Sequence, residues 1–402
     1  MRICLLAVIV HRALRGAAGL SESAESAESA ESGEAGEAGE FRNFVRWAAR
    51  VLVGAVLVAA DCALGAPPSE DAIDALVRPS LEAKKAPGFV VVVVDHGATV
   101  FARGYGTADL VEGHAPSPAS RFAIGSLSKQ FTAASILQLA AAGQLDLADP
   151  LARYFPALPN SERITVQMLL NQTSGLHNYP SLLEHMWPLE GTIAPEKLLA
   201  ILATDSPDFE PGTRFAYSNA NYCVLAAIVE RVAHVPYGDY LAQHIFGPLG
   251  MTDSGNGFLA QPGTVRPYQG SGWFLPMPLI SLDLAFGAGS VVSSARDLAR
   301  WDSALLSHSL LGPAAMQQLW SPGHLRDGSA TSYAMGFVPA RLEGHAEVWH
   351  NGLVPGGGGY GLNALFPDDQ LAIIVLSNGA QFKGEPERIV KALAPAFFAA
   401  SR

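Results

Sequence analysis

Residues Gly88 to Val94 are a run dominated by valines, and that run fixes the first sheet element of the chain. β-branched side chains suit a pleated strand better than a helix. Asp95-His96-Gly97 follows, then Thr99 to Tyr105, so the segment reads as a hairpin with a glycine-containing turn. The other end of the chain repeats the pattern. Glu347 to Trp349 leads into the glycine-rich turn Gly356 to Gly359, and Tyr360 to Phe366 and Leu371 to Leu376 are strands joined by Pro367-Asp368-Asp369-Gln370. Between the two ends the signals are helical. Phe131 to Ala142 reads as a buried helix, Thr165 caps Val166 to Asn171, and Asn219 to His234 is stopped by Pro236. Tyr237 to Phe246 and Ser294 to Leu306 read as two further helices. Ala72 to Lys84 precedes the first strand with helical spacing, and a last helix carries Ile389, Leu393 and Phe397 on one face. The expectation is an α+β fold. One antiparallel sheet is formed by both ends of the mature chain and flanked by helices, with a mainly helical lobe inserted over about 127–290. Clefts form where such lobes meet.

The chain has 402 residues and a formal net charge of -11, with only six lysines. Phosphate contacts need clustered Lys and Arg, so this balance excludes nucleic acid as a partner. Residues 21 to 40 repeat Ser-Glu-Ala and Gly-Glu-Ala triplets without an aromatic residue, which places 1–41 as a low-complexity acidic segment that cannot order itself. Arg42, Arg46 and Arg50, the apolar run Val51 to Ala60 and the small residues before Pro67 resemble a secretory signal over 42–66. The expectation is a secreted or periplasmic protein with its folded domain at 67–402 and no stable membrane span once the signal is removed. For a signal placed this far in, the expectation is that translation begins near Phe41 to Arg50, the alternative being an uncleaved anchor or a disordered tail. Of the three cysteines, Cys4 and Cys62 lie in that leader region, so Cys223 is expected to be a small core residue without a disulfide.

Three segments carry chemistry. Ser126-Leu127-Ser128-Lys129 puts a hydroxyl and an amine three residues apart at a helix start, where they share a face. Such a pair makes an acyl-transfer nucleophile without a Ser-His-Asp triad. The lysine opens a nearly all-apolar helix, where a charge is costly unless paired. Tyr217-Ser218-Asn219 stands at the mouth of the next long helix. A tyrosine near a lysine ammonium is expected to have a lowered pKa, to accept a proton from serine and to return it to a leaving group. Asn219 is expected to hold Lys129 and a substrate carbonyl. His350-Asn351-Gly352 ends a strand. Its edge can offer the Leu353 N–H to an oxyanion, and Gly352 is expected to let substrate approach closely. Each segment alone also fits ordinary packing: a serine cap, a packed tyrosine before an asparagine cap, a satisfied strand-end histidine.

Together, in this order, the segments resemble the class C β-lactamase-related serine hydrolases, which share the β-lactamase and penicillin-binding peptidase fold. The resemblance runs from about Ala72 to Leu393. It includes Phe122-Ala123-Ile124-Gly125, Met168 to Leu176, Pro211-Gly212-Thr213 and Ala288 to Ser293. It implies Ser126 as the acylated nucleophile, Lys129 assisting its activation, Tyr217 as general base then acid, and Asn219 orienting Lys129 and substrate. The N–H groups of Ser126 and Leu353 would hold the oxyanion. His350 stands where many relatives carry the lysine of Lys-Thr-Gly, which is similar to the D-aminopeptidase and esterase-like branch. A histidine that is largely neutral near pH 7 weakens recognition of a substrate carboxylate. Gln172 stands where relatives often have histidine, with little consequence expected.

The implied activity is hydrolysis of a small ester, amide or peptide substrate through an acyl-enzyme on Ser126. A β-lactamase or D-alanyl-D-alanine carboxypeptidase is the alternative within enzymes, and a non-catalytic peptidoglycan- or β-lactam-binding sensor the alternative outside them. No cofactor is expected. The histidines are scattered and H-E-x-x-H is missing, so no metal is expected either. Gly356 to Gly361 satisfies G-x-G-x-x-G but precedes a strand, which argues against dinucleotide binding. Tyr179, Trp187 and Trp273 fall in loops of the inserted lobe, where aromatic side chains either wall a cleft or simply pack.

Overall fold

The computed structural model describes residue 56 and residues 68–178, 195–257, 263–277, 282, 285–354 and 359–400. The acidic stretch, the leader-like segment apart from Val56, Tyr179, Trp187 and Gly356 to Gly358 lie outside these residues.

Six strands form the main sheet: β1 (Gly88–Asp95), β2 (Ala98–Gly106), β3 (Val338–Leu342), β4 (His345–Leu353), β5 (Tyr360–Phe366) and β6 (Leu371–Ser377). Their order is β2-β1-β6-β5-β4-β3, antiparallel throughout, so the two ends of the folded chain meet at β1 and β6. The valine run alternates between two interiors. Phe89, Val91 and Val93 join Ile373, Val375, Leu362 and Phe366 on one face. Val90, Val92 and Val94 join Ile374, Leu376 and Leu365 on the other. Burial on both faces explains the continuous apolar run, since neither parity of residues meets water.

Helix α1 (Glu70–Val77) covers the first face, capped by the Ser69 hydroxyl. The sequence spacing extends this helix to Lys84. Pro79 instead opens a separate turn, Pro79–Glu82, because its ring cannot continue a helix. The second face packs on α2 (Ser128–Ala141), whose residues from Ser128 to Leu137 are all buried. Burial on every side, with Ser128, Lys129, Gln130, Thr132 and Ser135 included, marks a helix with no solvent side over this stretch. The short α3 (Val166–Leu170), capped by Thr165, and the long α4 (Asn219–Ala233) belong to the same core. His234 ends α4 in the left-handed conformation (φ 57°). Tyr237 to Phe246 is split into an α-helical turn, Tyr237–Leu241, and a π-helical turn, Ala242–Phe246. Then come α5 (Phe286–Gly289) and α6 (Ala295–Leu306), which Ser294 caps by accepting from the Asp297 N–H at 3.1 Å. Helix α7 (Glu385–Ala400) closes the chain over the first face. A small antiparallel sheet of Arg121–Ala123, Val291–Ser294 and Gly255–Asn256 lies just ahead of Ser126. Among the described residues no helix is long and apolar enough to cross a membrane.

Candidate active site

Ser126 is placed by the small sheet and by a glycine. Ala123 pairs with Val292, the Ile124 N–H donates to the Val291 carbonyl at 3.1 Å, and Gly125 then turns with φ +52°. Ser126 sits in the 3-10 turn Gly125–Leu127 rather than in α2 itself. A side chain at 125 would be strained by that φ and would press within 2.7 Å of the Leu353 carbonyl oxygen. The loop before the serine therefore lies directly against the end of β4.

The three-residue spacing brings Lys129 to the serine as expected. Its Nζ lies 3.0 Å from Ser126 Oγ, 2.8 Å from Asn219 Oδ1 and 2.7 Å from the Ala288 carbonyl oxygen. The two carbonyl-type oxygens can only accept, so two N–H bonds are committed to them and the third direction of the amine faces the hydroxyl. Lys129 is fully buried, and desolvation pushes its pKa down to about 7. Near neutral pH a large fraction of the amine therefore carries a lone pair where the serine proton is.

Tyr217 reaches the same oxygen. Its hydroxyl donates to Ser126 Oγ at 2.9 Å, and Lys129 Nζ lies 4.9 Å from the centre of its ring. The expected lowering of its pKa does not occur. Burial of the phenol raises it well above the ordinary tyrosine value, because the cost of desolvating a phenolate outweighs the hydrogen bond with Ser126, which acts the other way. The loop holding Tyr217 is braced from below by Gln172. Its Oε1 accepts from the Ser218 N–H at 2.9 Å and from Asn221 Nδ2 at 2.6 Å, while its backbone carbonyl accepts from the Ala216 N–H at 3.0 Å. Gln172 thus has more consequence than its sequence context indicates. Asn178 contributes as well, since its Oδ1 accepts from the Asn219 N–H at 2.9 Å at the start of α4. Neither residue belongs to a catalytic pattern, and only a contact map reveals them.

Strand parity sets the third segment. His350 pairs with Asn363 and Gly352 with Gly361, so both face the Ser126 loop. His350 is buried, and desolvation, then the charge of Lys129, push its pKa down to about 3 despite a hydrogen bond to a carbonyl that raises it. It is neutral throughout the ordinary pH range. Gly352 does not open space for substrate: a Cβ there would lie 1.9 Å from the Ile124 carbonyl oxygen. Its role is to let β4 close onto the serine loop. Leu353, the last residue of β4, lies beside Gly125 with a half-exposed side chain. Tyr333 was not singled out by any motif, yet its hydroxyl lies 3.0 Å from His350 Nε2 and its ring centre 6.0 Å from that of Tyr217.

Trp273 is exposed, in a two-stranded hairpin. Cys223 is buried on α4 with its thiol directed at the Ala285 carbonyl. Among the described residues no group of His, Cys, Asp and Glu is arranged to hold a metal ion. A cavity of about 690 Å³ lined by Pro236, Phe246, Asn256 and Phe286 contains none of the residues named for chemistry, which cluster instead around Ser126 Oγ.

The family profile described as Beta-lactamase matches residues 73–396. A Bacillus subtilis (strain 168) protein named as a penicillin-binding protein, PbpX, is 32% identical over 292 residues, covering 71% of this chain and 69% of its own length. Among solved structures, a penicillin binding protein from Bacillus halodurans superposes with a TM-score of 0.68 at 26% identity, covering 79% of this chain and 98% of that one. A D-stereospecific amidohydrolase from Streptomyces sp. superposes with a TM-score of 0.65 at 25% identity, covering 78% and 97%.

Proposed function

The chain belongs to the beta-lactamase family, and from that membership we propose that it is a serine hydrolase cleaving an ester or amide bond through a covalent acyl-enzyme on Ser126. One observation carries the reading: a buried amine at 3.0 Å and a buried phenol at 2.9 Å converge on a single serine oxygen. A hydroxyl in such a setting has a base and an acid in reach at once.

The shifted pKa values divide the labour. Lys129, partly neutral near pH 7, takes the proton as Ser126 Oγ attacks the substrate carbonyl. The N–H groups of Ser126 and Leu353 hold the oxyanion. Tyr217, whose proton is strongly retained, delivers it to the leaving group, and the proton taken up by Lys129 restores the phenol. Water then attacks the acyl-enzyme; Lys129 takes its proton and passes it to Ser126 Oγ as the acyl–oxygen bond breaks, so the serine leaves as a hydroxyl and the amine is free again. Asn219 fixes the amine throughout.

The neutral His350 favours esters and amides that need no cationic grip. The likeness to a D-stereospecific amidohydrolase makes D-amino acid amides the first substrates to try, beside simple esters. A β-lactamase or D-alanyl-D-alanine carboxypeptidase is the second reading, favoured by the penicillin-binding relatives. Intact-mass analysis after a fluorophosphonate, with Ser126→Ala as control, tests the nucleophile, and turnover of p-nitrophenyl esters and D-amino acid amides tests the activity. Phosphonylation of Ser126 without turnover of any of these would make the protein a sensor, and a penicilloyl adduct that hydrolyses rapidly would make it a β-lactamase. No adduct at all would end the proposal.

A further inference from the structure

Resting on Ser126 as the nucleophile, we infer that His350 is a positioning residue, locked by Tyr333, that fixes the end of β4 beside the serine and takes no part in binding substrate. His350 Nδ1 lies 2.5 Å from the Asn351 carbonyl oxygen, which can only accept, so Nδ1 carries the ring proton. In the neutral ring Nε2 then holds a lone pair, and the Tyr333 hydroxyl donates to it at 3.0 Å. Both ring nitrogens are spent inside the protein. A substrate could reach either only by breaking a hydrogen bond in a site where His350 is 3% and Tyr333 2% exposed.

The same pair connects two parts of the site. The Tyr333 ring meets Tyr217 edge-on at 6.0 Å and lies along Phe215 at 5.9 Å, so it walls the phenol. His350 clips the peptide after it on a stretch that β3 does not flank, since β3 pairing stops at Val338 with Trp349. Two residues further on is Gly352, pressed against Ile124, and next to it Leu353, pressed against Gly125. Groups facing the imidazole are Lys129, Tyr217 and Tyr333, with no carboxylate among its described contacts, so nothing there favours a second proton.

The test separates positioning from substrate binding. In long-range proton–nitrogen NMR of protein labelled at histidine nitrogen, His350 should show the Nδ1–H form alone between about pH 5 and 9, unchanged when a carboxylate-bearing ester analogue is added. The Nε2–H form, a protonated ring in that range, or a shift on adding the analogue would overturn the inference. In kinetics, Tyr333→Phe and His350→Ala should each lower kcat by about 10- to 100-fold, by the same factor for a neutral and a carboxylate-bearing p-nitrophenyl ester, with KM nearly unchanged. A loss confined to the carboxylate-bearing ester would make His350 a substrate ligand and overturn it too. Circular dichroism of the variants guards against misfolding, and the NMR result stands even if they do not fold. Phosphonylation of Ser126 in the unsubstituted protein is scored separately, so a failure of the hydrolase reading is distinguishable from a failure of this one.

Discussion

Alternate residues of the same strands build both faces of the main sheet, yet the two interiors differ in kind. Under α1 and α7 the core is Phe89, Val91, Val93, Ile373, Val375 and Phe397, with Ser80 and Glu385 only at its margin. Under α2 and α6 the apolar core surrounds Lys129, Gln130, Thr132, Asp302, His350 and Asn363, all buried. Buried polar groups cost free energy unless bonded, so a face that accumulates them is not optimised for stability alone. The face under α1 and α7, the outer one, is packed almost wholly with apolar side chains, whereas the face under α2 and α6, the inner one, keeps Lys129 away from water.

That contrast can be broken by substitution. The largest expected effect is Ser126→Ala, which should lower turnover roughly 10⁴-fold or more with an unchanged melting temperature. Lys129→Met should cost roughly 10²- to 10⁴-fold in kcat/KM while the melting temperature holds or rises, since an amine with no described carboxylate partner is exchanged for an apolar chain of similar length. A clear drop in melting temperature would make Lys129 a structural residue and erase the contrast. On the outer face the pattern should reverse: Ile373→Ala should cost about 2–5 kcal/mol in denaturant unfolding with kcat per folded molecule intact.

The pH dependence sharpens the comparison. Activity should rise with pH through about 7 as Lys129 loses its proton. For stability, the unfolded lysine holds a proton up to its ordinary 10.5 that the folded one has lost by about 7, so this group's contribution grows as pH rises across that window. Asp302 acts oppositely. Burial pushes it up to about 8, so the folded chain holds a proton between the ordinary 3.8 and that value which the unfolded chain lacks, and stability falls as pH rises there. The smallest expected effect is that Asp302→Asn flattens this acid-side slope, measured by urea unfolding at several pH values, without altering kcat.

The sequence was legible where one residue type recurred or where spacing was short. The valine run, the cap at Thr165, the helix starting at Ser294 and the stop at Pro236 are local signals, and Ser126 and Lys129 share a face by helical geometry alone. The strand holding His350 was only partly legible, because Asn351 and Gly352, just before its last residue, are poor strand formers. The small sheet was invisible, its members being two to four residues long. Tyr217 was placed correctly beside the serine but with its pKa shifted the wrong way, since no sequence states how deeply a phenol will be buried. Gln172 and Tyr333 act through contacts with segments far along the chain, and Gly352 was read as room for substrate when it is room for Ile124.

The contact of Gly125 with Leu353 has a consequence for how the molecule comes into being. Ser126 and Lys129 leave the ribosome early, while the strand that presses on their loop is among the last segments to be made. Until that strand docks, the loop before Ser126 lacks its backing at Leu353, and the pocket proposed for the oxyanion has only one of its two sides.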